Sequence, residues 1–307
     1  FLNLLMETNK QVLAKEAPFL ILSVFILSMG IWIYRCAHDP SELNEKFLKR
    51  LEKCDIFLIE HAIREWREDV VSYYDYLSFL EGKPPKGFLL SIFSEYTSKL
   101  DSLIIKSRKR VEVENSPIPL IQIEELSKQL DETFYLFLNG KFEESIKTYL
   151  KAARLGANIT KERDIALKHQ LIELQQENPN AEILVSIGAN HLPHYWLREE
   201  GIEASCEFPC KPYVFSHAEE LRRRIYFGLS YTLNLVARSL IGDIIGAYYH
   251  YYLGHSSQSS IKKSREVCDR LNYRDIKEIC KFLGKKGRLD DKPFYLILYL
   301  KKRGFNV

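Results

Sequence analysis

The sequence predicts an α/β fold: a mostly parallel central sheet flanked by helices, with a helical insertion and a helical C-terminal region. Three observations carry that prediction. Short apolar runs at 31–35, 56–60 and 182–187 have the length and composition of strands buried on both faces. Between the first two, Leu43, Phe47, Leu48 and Leu51 recur at helical spacing across 41–53. Such a strand–helix–strand crossover is right-handed and makes its strands parallel, so both strand ends reach one edge of the sheet. After residue 215 the chain turns tyrosine-rich and reads as helical throughout.

Composition narrows the field. At 307 residues, 46% hydrophobic and 12% aromatic, the chain can bury a large core and is not disordered. A net charge of +3 gives no bulk support for nucleic-acid binding, so no nucleic-acid partner is expected. Cysteines 36, 54, 206, 210, 268 and 280 form no disulfide framework, and Cys206-x-x-x-Cys210 lacks a second pair at zinc-site spacing. Free thiols fit a reducing, cytoplasmic setting.

The first element is the most ambiguous. Residues 17–34 are uncharged and mostly apolar, with the length of a membrane span, and a membrane-anchored chain is the alternative location. Division at Ser28-Met29-Gly30 gives instead two buried strands, 19–27 and 31–35, and this reading is preferred because the crossover needs the second strand. Ser41, after Pro40, is the expected N-cap of helix 41–53. Helices are expected at 62–80 and 88–101, separated by Gly82-Lys-Pro-Pro-Lys-Gly87. Residues 102–105 and 110–114 read as short strands, with Glu112 and Glu114 bringing a further carboxylate to the edge.

Helices follow at 122–138, 141–155 and 160–177, broken at Asn139-Gly140 and Gly156-Ala-Asn158. Together the stretch 62–177 forms the expected insertion within an α/β core of 1–215. Residues 182–187 and 191–200 form a second strand–helix unit, and 216–307 pack on the core as the helical region. Arg238 and Asp243 inside the apolar run 225–253 argue against a membrane span there. Tyr248-Tyr-His-Tyr-Tyr252 suits a core or subunit interface, and a homo-oligomer is a compatible outcome. Arg222-Arg-Arg224 reads as a solvated helix face. No P-loop, Gly-x-Gly-x-x-Gly or Gly-x-Ser-x-Gly occurs, which argues against nucleotide-dependent chemistry and serine hydrolysis.

Chemistry-bearing residues gather at the predicted strand ends. The first strand runs out to His38, the second ends in Glu60 followed by His61, and the run from Glu182 closes as Gly188-Ala-Asn-His191. Thr160 would cap a helix carrying Glu162-Arg163-Asp164 in its first turn, where acids are favoured and an arginine is not. Arg163 therefore needs a partner, either a substrate carboxylate or carbonyl, or a salt bridge to Glu60 or Glu112.

These residues resemble the TraB/PrgY and Tiki group, which is related more distantly to erythromycin esterase-like and ChaN-like proteins. The resemblance covers roughly 30–61 and 159–205 and extends into Leu192-Pro193-His194 and Glu199-Glu200-Gly201-Ile202. In that group a Gly-x-x-His follows the first strand, a glutamate ends the second, an arginine lies on a helix and a second Gly-x-x-His closes a late strand. Here Arg35 stands where the first motif carries glycine, while Gly188 and His191 keep the second.

The resemblance implies a metal-dependent hydrolase of a peptide, amide or ester bond. His38, Glu60 and His191 would hold a divalent cation (Mn, Zn, Co or Fe) and activate its bound water. Glu60, Arg163 and His191 are the expected catalytic groups; Arg163, Glu112, Asn190 and His194 are the expected substrate contacts. The alternative is a non-catalytic protein on the same fold that binds or sequesters a peptide or small ligand.

Overall fold

The central sheet has five strands in the order β3-β2-β4-β1-β5, and every pairing is parallel. They are β1 (Ile31–Cys36), β2 (Ile56–Ile59), β3 (Arg110–Val113), β4 (Ile183–Gly188) and β5 (Ser205–Glu207). The computed structural model describes residues 30–36, 40–60, 96, 99–100, 102–118, 120–251, 253–288 and 291–305. His38, His61, the apolar stretch 17–29 and the expected helix at 62–80 lie outside them. Of the 17–34 run, 30–34 are described, and 31–34 belong to β1 in the sheet. Among the described residues no helix is long and apolar enough to cross a membrane.

The alternation of side chains along each strand divides the packing into two faces. On one face Tyr34, Phe57, Ile59 and Leu184 meet Phe47 and Leu51 of α1 (Glu45–Lys53). On the other, Ile31, Ile33, Leu58, Val185 and Ile187 meet Leu167, Leu171 and Leu174 of a long helix, α3. Helices on both faces are what an all-parallel sheet requires, because its strands are apolar on both sides.

Local structure departs from expectation in four places. The N-cap of α1 is Asn44, whose side chain accepts from the backbone of Lys46 and Phe47; Ser41 lies in a 3-10 turn, Pro40–Glu42. The expected strand at 102–105 is helical over 102–107, and Arg108, in the left-handed region at φ 52°, ends that helix before β3 begins.

The helices expected at 141–155 and 160–177 are one helix, α3 (Phe142–Glu177), which follows α2 (Leu120–Leu138). Gly156 does not break it: it lies inside the helix facing Leu126 of α2, with room for a Cβ at an ordinary van der Waals distance of 3.7 Å. Thr160, expected as a cap, instead donates to the carbonyl of Gly156 within the helix, 2.8 Å away.

The remaining helices are α4 (Pro193–Glu199), α5 (His217–Tyr226), α6 (Leu233–Tyr251), α7 (Ser257–Cys268), α8 (Tyr273–Gly284) and α9 (Lys292–Lys302). The first half of α3 contributes Phe142, Ile146 and Tyr149 to an apolar core built with α5, α6, α8 and α9. Its second half lies on the sheet. One helix thus spans both cores and carries Arg163 and Asp164 to where they meet. All six cysteines are free thiols.

Candidate functional site at the carboxyl edge of the sheet

Strand order locates the site. The connection leaving β2 leads outward to β3, whereas the one leaving its neighbour β4 leads past β1 to β5. Diverging connections open a crevice outside the carboxyl ends of the two strands, the position where open parallel sheets bind ligands. Glu60 directly follows β2, and Gly188 ends β4. The Gly188 amide donates to Glu60 Oε2 at 2.6 Å, which ties the two strand ends together.

His191 follows three residues after Gly188 and is buried, 4% exposed. Its Nδ1 lies 2.7 Å from Asp164 Oδ1, and its Nε2 lies 3.2 Å from Glu60 Oε1. Asp164 is fully buried and also accepts from the Leu192 amide at 2.8 Å and the Tyr226 hydroxyl at 2.9 Å. Tyr226 in turn accepts from Trp196 Nε1 at 2.5 Å. A carboxylate so held fixes the orientation of the imidazole and leaves Nε2 as the working nitrogen.

Burial and the nearby Arg163 both disfavour charge on His191, but Asp164 and Glu60 outweigh them and raise its pKa to about 9. At neutral pH the ring is an imidazolium. Arg163, one residue before Asp164 on α3, donates to Glu60 Oε1 at 2.8 Å and to both oxygens of Glu114 at 2.8 and 2.5 Å. Burial opposes its charge too, and Glu114 and then Glu60 more than offset that, holding its pKa above the ordinary arginine value.

The sequence-predicted residues divide accordingly. Glu60, Arg163 and His191 come together in one network. Glu112 does not join it: it sits on β3 opposite Leu58, one repeat of the pleat short of the edge, and pairs with Arg110 at 2.8 Å. Glu114, at the end of β3, takes the place that Glu112 was expected to fill.

Asn190 and His194 flank His191 in sequence, and each has a buried side-chain atom, Asn190 Oδ1 and His194 Nδ1, with no hydrogen-bond partner. Burial, then the charge of Arg35, push the His194 pKa down to about 4, so this ring is neutral. Arg35 and Arg223 both donate to the backbone carbonyl of Ala189, the latter at 3.0 Å. Arg223 is therefore not part of a solvated face. Burial, then Arg35, lower its pKa to about 10.

Asp164 and Arg35 each left a signal that a stricter reading of periodicity would have caught. Asp164 stands on the stripe of Leu167, Leu171 and Leu174, so it is a charge on the buried face of α3. Arg35 alternates with Ile31 and Ile33 and so projects from the same buried face of β1.

Among the described residues, no group of three His, Cys, Asp or Glu is arranged to hold a metal ion. Glu60 and His191 supply two donors, and the third expected ligand, His38, lies outside the described residues. Comparison with models of known families, with curated proteins and with solved structures finds no match for this chain.

Proposed function

We propose that the chain is a hydrolase that cleaves an ester, amide or peptide bond by general acid–base chemistry at His191 and Glu60. The observation that carries this reading is the buried Asp164 holding His191 by Nδ1, with Nε2 turned to Glu60 at the switch point of the sheet. An imidazolium at the mouth of a parallel sheet is a proton donor in position, and Glu60 beside it is a proton acceptor.

In the proposed reaction a water attacks the carbonyl carbon and gives its proton to Glu60. As the tetrahedral intermediate collapses, His191 donates the Nε2 proton to the departing alkoxide or amine. Glu60 then returns its proton to His191 across the 3.2 Å contact, restoring both groups. Arg163 supplies positive charge that steadies the oxyanion and keeps Glu60 and Glu114 from repelling each other. A cytoplasmic location belongs to the same proposal and is supported by the free thiols.

A second reading seats a divalent cation (Mn, Zn, Co or Fe) on Glu60 and His191. It is favoured by their 3.2 Å separation, close to the span of about 3.0–3.5 Å between two ligands of one cation with bonds of about 2.0–2.2 Å. Such a cation would supply Lewis acidity to the same hydrolysis. Elemental analysis of the purified protein and of His191→Ala separates the two: stoichiometric metal lost in the variant selects the second.

The acid–base reading is tested on a panel of chromogenic esters and peptides. His191→Ala should lose 10²–10⁴-fold in rate, on the order of general acid–base contributions. The acid form of His191 is the active one, so the rate should fall as pH rises through about 9. Asp164→Asn removes the charge that raises that pKa, so the alkaline limb should move to lower pH. A limb that stays in place in Asp164→Asn would remove His191 from the chemistry.

A further inference from the structure

We propose that Arg35 and Arg223 form an anion subsite beside His191 that takes the phosphate group of a ligand. The assignment as a substrate subsite rests on the hydrolase reading of His191; the anion binding does not.

Neither guanidinium has an ion pair among the described residues. Arg35 is 4% exposed, donates to the Ala189 carbonyl and interacts with the Cys206 thiol, and its Nε has no partner. Arg223 shares that same carbonyl, and its Nε is likewise unpartnered. Of the acids on α5, Glu220 pairs with Arg224 and Arg265, while Glu219 accepts from the Ser216 amide at 2.6 Å and the Tyr213 hydroxyl at 3.3 Å and acts on Arg223 only at longer range. Two guanidinium groups that share one carbonyl acceptor and make no ion pair are costly to bury. The fold tolerates both at its ligand-binding edge.

Their aromatic neighbours point the same way. Arg35 lies over Phe208, 4.8 Å from the ring centroid, and Arg223 lies over Phe215 at 3.7 Å. Those two rings pack on each other and on Tyr213. Aromatic stacking engages the face of a guanidinium and leaves its in-plane N–H groups for an oxyanion. Arg223 also lines a small cavity of about 10 Å³ together with Asn190, Arg222 and Tyr226.

Charge selects the ligand. The Glu60 network holds three carboxylates against Arg163 and protonated His191, so it already carries an excess of negative charge. The adjoining arginines carry two positive charges, offset in part by Glu219. A phosphate presents oxygens to both guanidinium forks at once, whereas a single carboxylate matches one fork. Glu60, directly after β2, and Arg35 on β1 flank β4, two strand spacings or about 10 Å apart. A phosphate held on the arginines would therefore lie a few bonds from an ester or amide at His191.

Calorimetric titration of the full chain with inorganic phosphate, and separately with acetate, tests the subsite. Saturable one-site phosphate uptake is expected, weakened at least tenfold in Arg223→Gln at an unchanged melting temperature. Acetate should bind at least tenfold more weakly than phosphate. Arg35 is buried in β1, so Arg35→Gln serves as a second variant and Arg223→Gln is the deciding one.

Phosphate uptake as tight in Arg223→Gln as in the parent, or no saturable uptake at all, would overturn the subsite. Acetate equal to phosphate would overturn the phosphate assignment. His191→Ala should keep phosphate binding within about threefold while losing any hydrolysis. A parent chain that binds phosphate yet cleaves nothing on the panel sinks the hydrolase reading and leaves the subsite standing.

Discussion

The sheet half and the helical half of this molecule bury polar groups in opposite ways. In the helical half, most buried polar atoms are answered by backbone. Ser145 donates to the Phe142 carbonyl and Ser239 to Leu235, each within its own turn, and Lys292 donates to the carbonyl of Leu138. Tyr149 donates to Asp243 at 2.7 Å, and the core around that pair, from Phe137 to Leu300, is predominantly apolar. In the sheet half Glu60, Glu114, Arg163, Asp164, His191 and Arg35 converge on one edge from five different elements. Local satisfaction costs little and needs no partner outside the turn. Long-range convergence of charges is expensive, and stability alone does not require it, because apolar side chains of similar volume would fill the same space. The contrast favours the sheet half as the seat of the proposed chemistry, with the helical half as its support.

The sharpest way to break that comparison is Arg163→Met. It removes the guanidinium that Glu60 and Glu114 share, the latter 1% exposed. Loss of one partner from a buried pair costs about 3–5 kcal/mol. Urea unfolding should show that loss in the midpoint with little change in slope. If instead the variant is as stable as the parent, the network is not held by its charges, and the distinction between the two halves fails.

The helical half should respond to shape rather than charge. Gly284, at the end of α8, and Gly140, between α2 and α3, approach so closely that a Cβ on Gly284 would lie 2.8 Å from the Gly140 Cα. The obstructing atoms are backbone and cannot swing aside. Gly284→Ala should therefore destabilise by about 1–3 kcal/mol, in the range of overpacking. Hydrolysis on the ester and peptide panel should be unchanged at temperatures where the variant is folded. A fall in rate without a fall in stability would show that the two halves are coupled more tightly than their cores suggest.

How much of this was legible in the sequence follows from the same contrast. Strands β1, β2 and β4 read directly because burial on both faces imposes continuous apolar runs, and the parallel sheet followed from the crossover. Glu60, Arg163 and His191 were visible as strand ends and as an arginine out of keeping with its expected place. Asp164 was not, since an acid near a supposed helix start needs no explanation. The error lay in Gly156, read as a break when it sits inside one long helix. Once α3 is continuous, the argument from the helix dipole lapses, and Arg163 stands out for its charge partners instead. Glu112 and Glu114 were indistinguishable by type. Only the register of β3 on β2, with Glu112 opposite Leu58, decides that Glu114 is the one at the edge. Arg223 was hidden among three consecutive arginines, because which of them faces inward depends on how α5 is docked.

The finest probe of the comparison is Tyr226, where the two halves touch. It ends α5, in the helical half, yet its hydroxyl donates to Asp164 and accepts from Trp196, in the sheet half. Tyr226→Phe removes one of the three hydrogen bonds that reach Asp164 and leaves Trp196 Nε1 unanswered. A single such bond contributes about 1 kcal/mol to stability, so the melting transition should move only slightly. The effect on chemistry has a definite sign. Asp164, with one donor fewer, concentrates more negative charge on His191 Nδ1 and favours the imidazolium further. The alkaline limb of the rate profile should therefore move to higher pH, opposite to its movement in Asp164→Asn. A limb displaced to lower pH in both variants would mean that Asp164 and Tyr226 act on His191 only through its position. The helical half would then be shaping the site rather than its proton affinity.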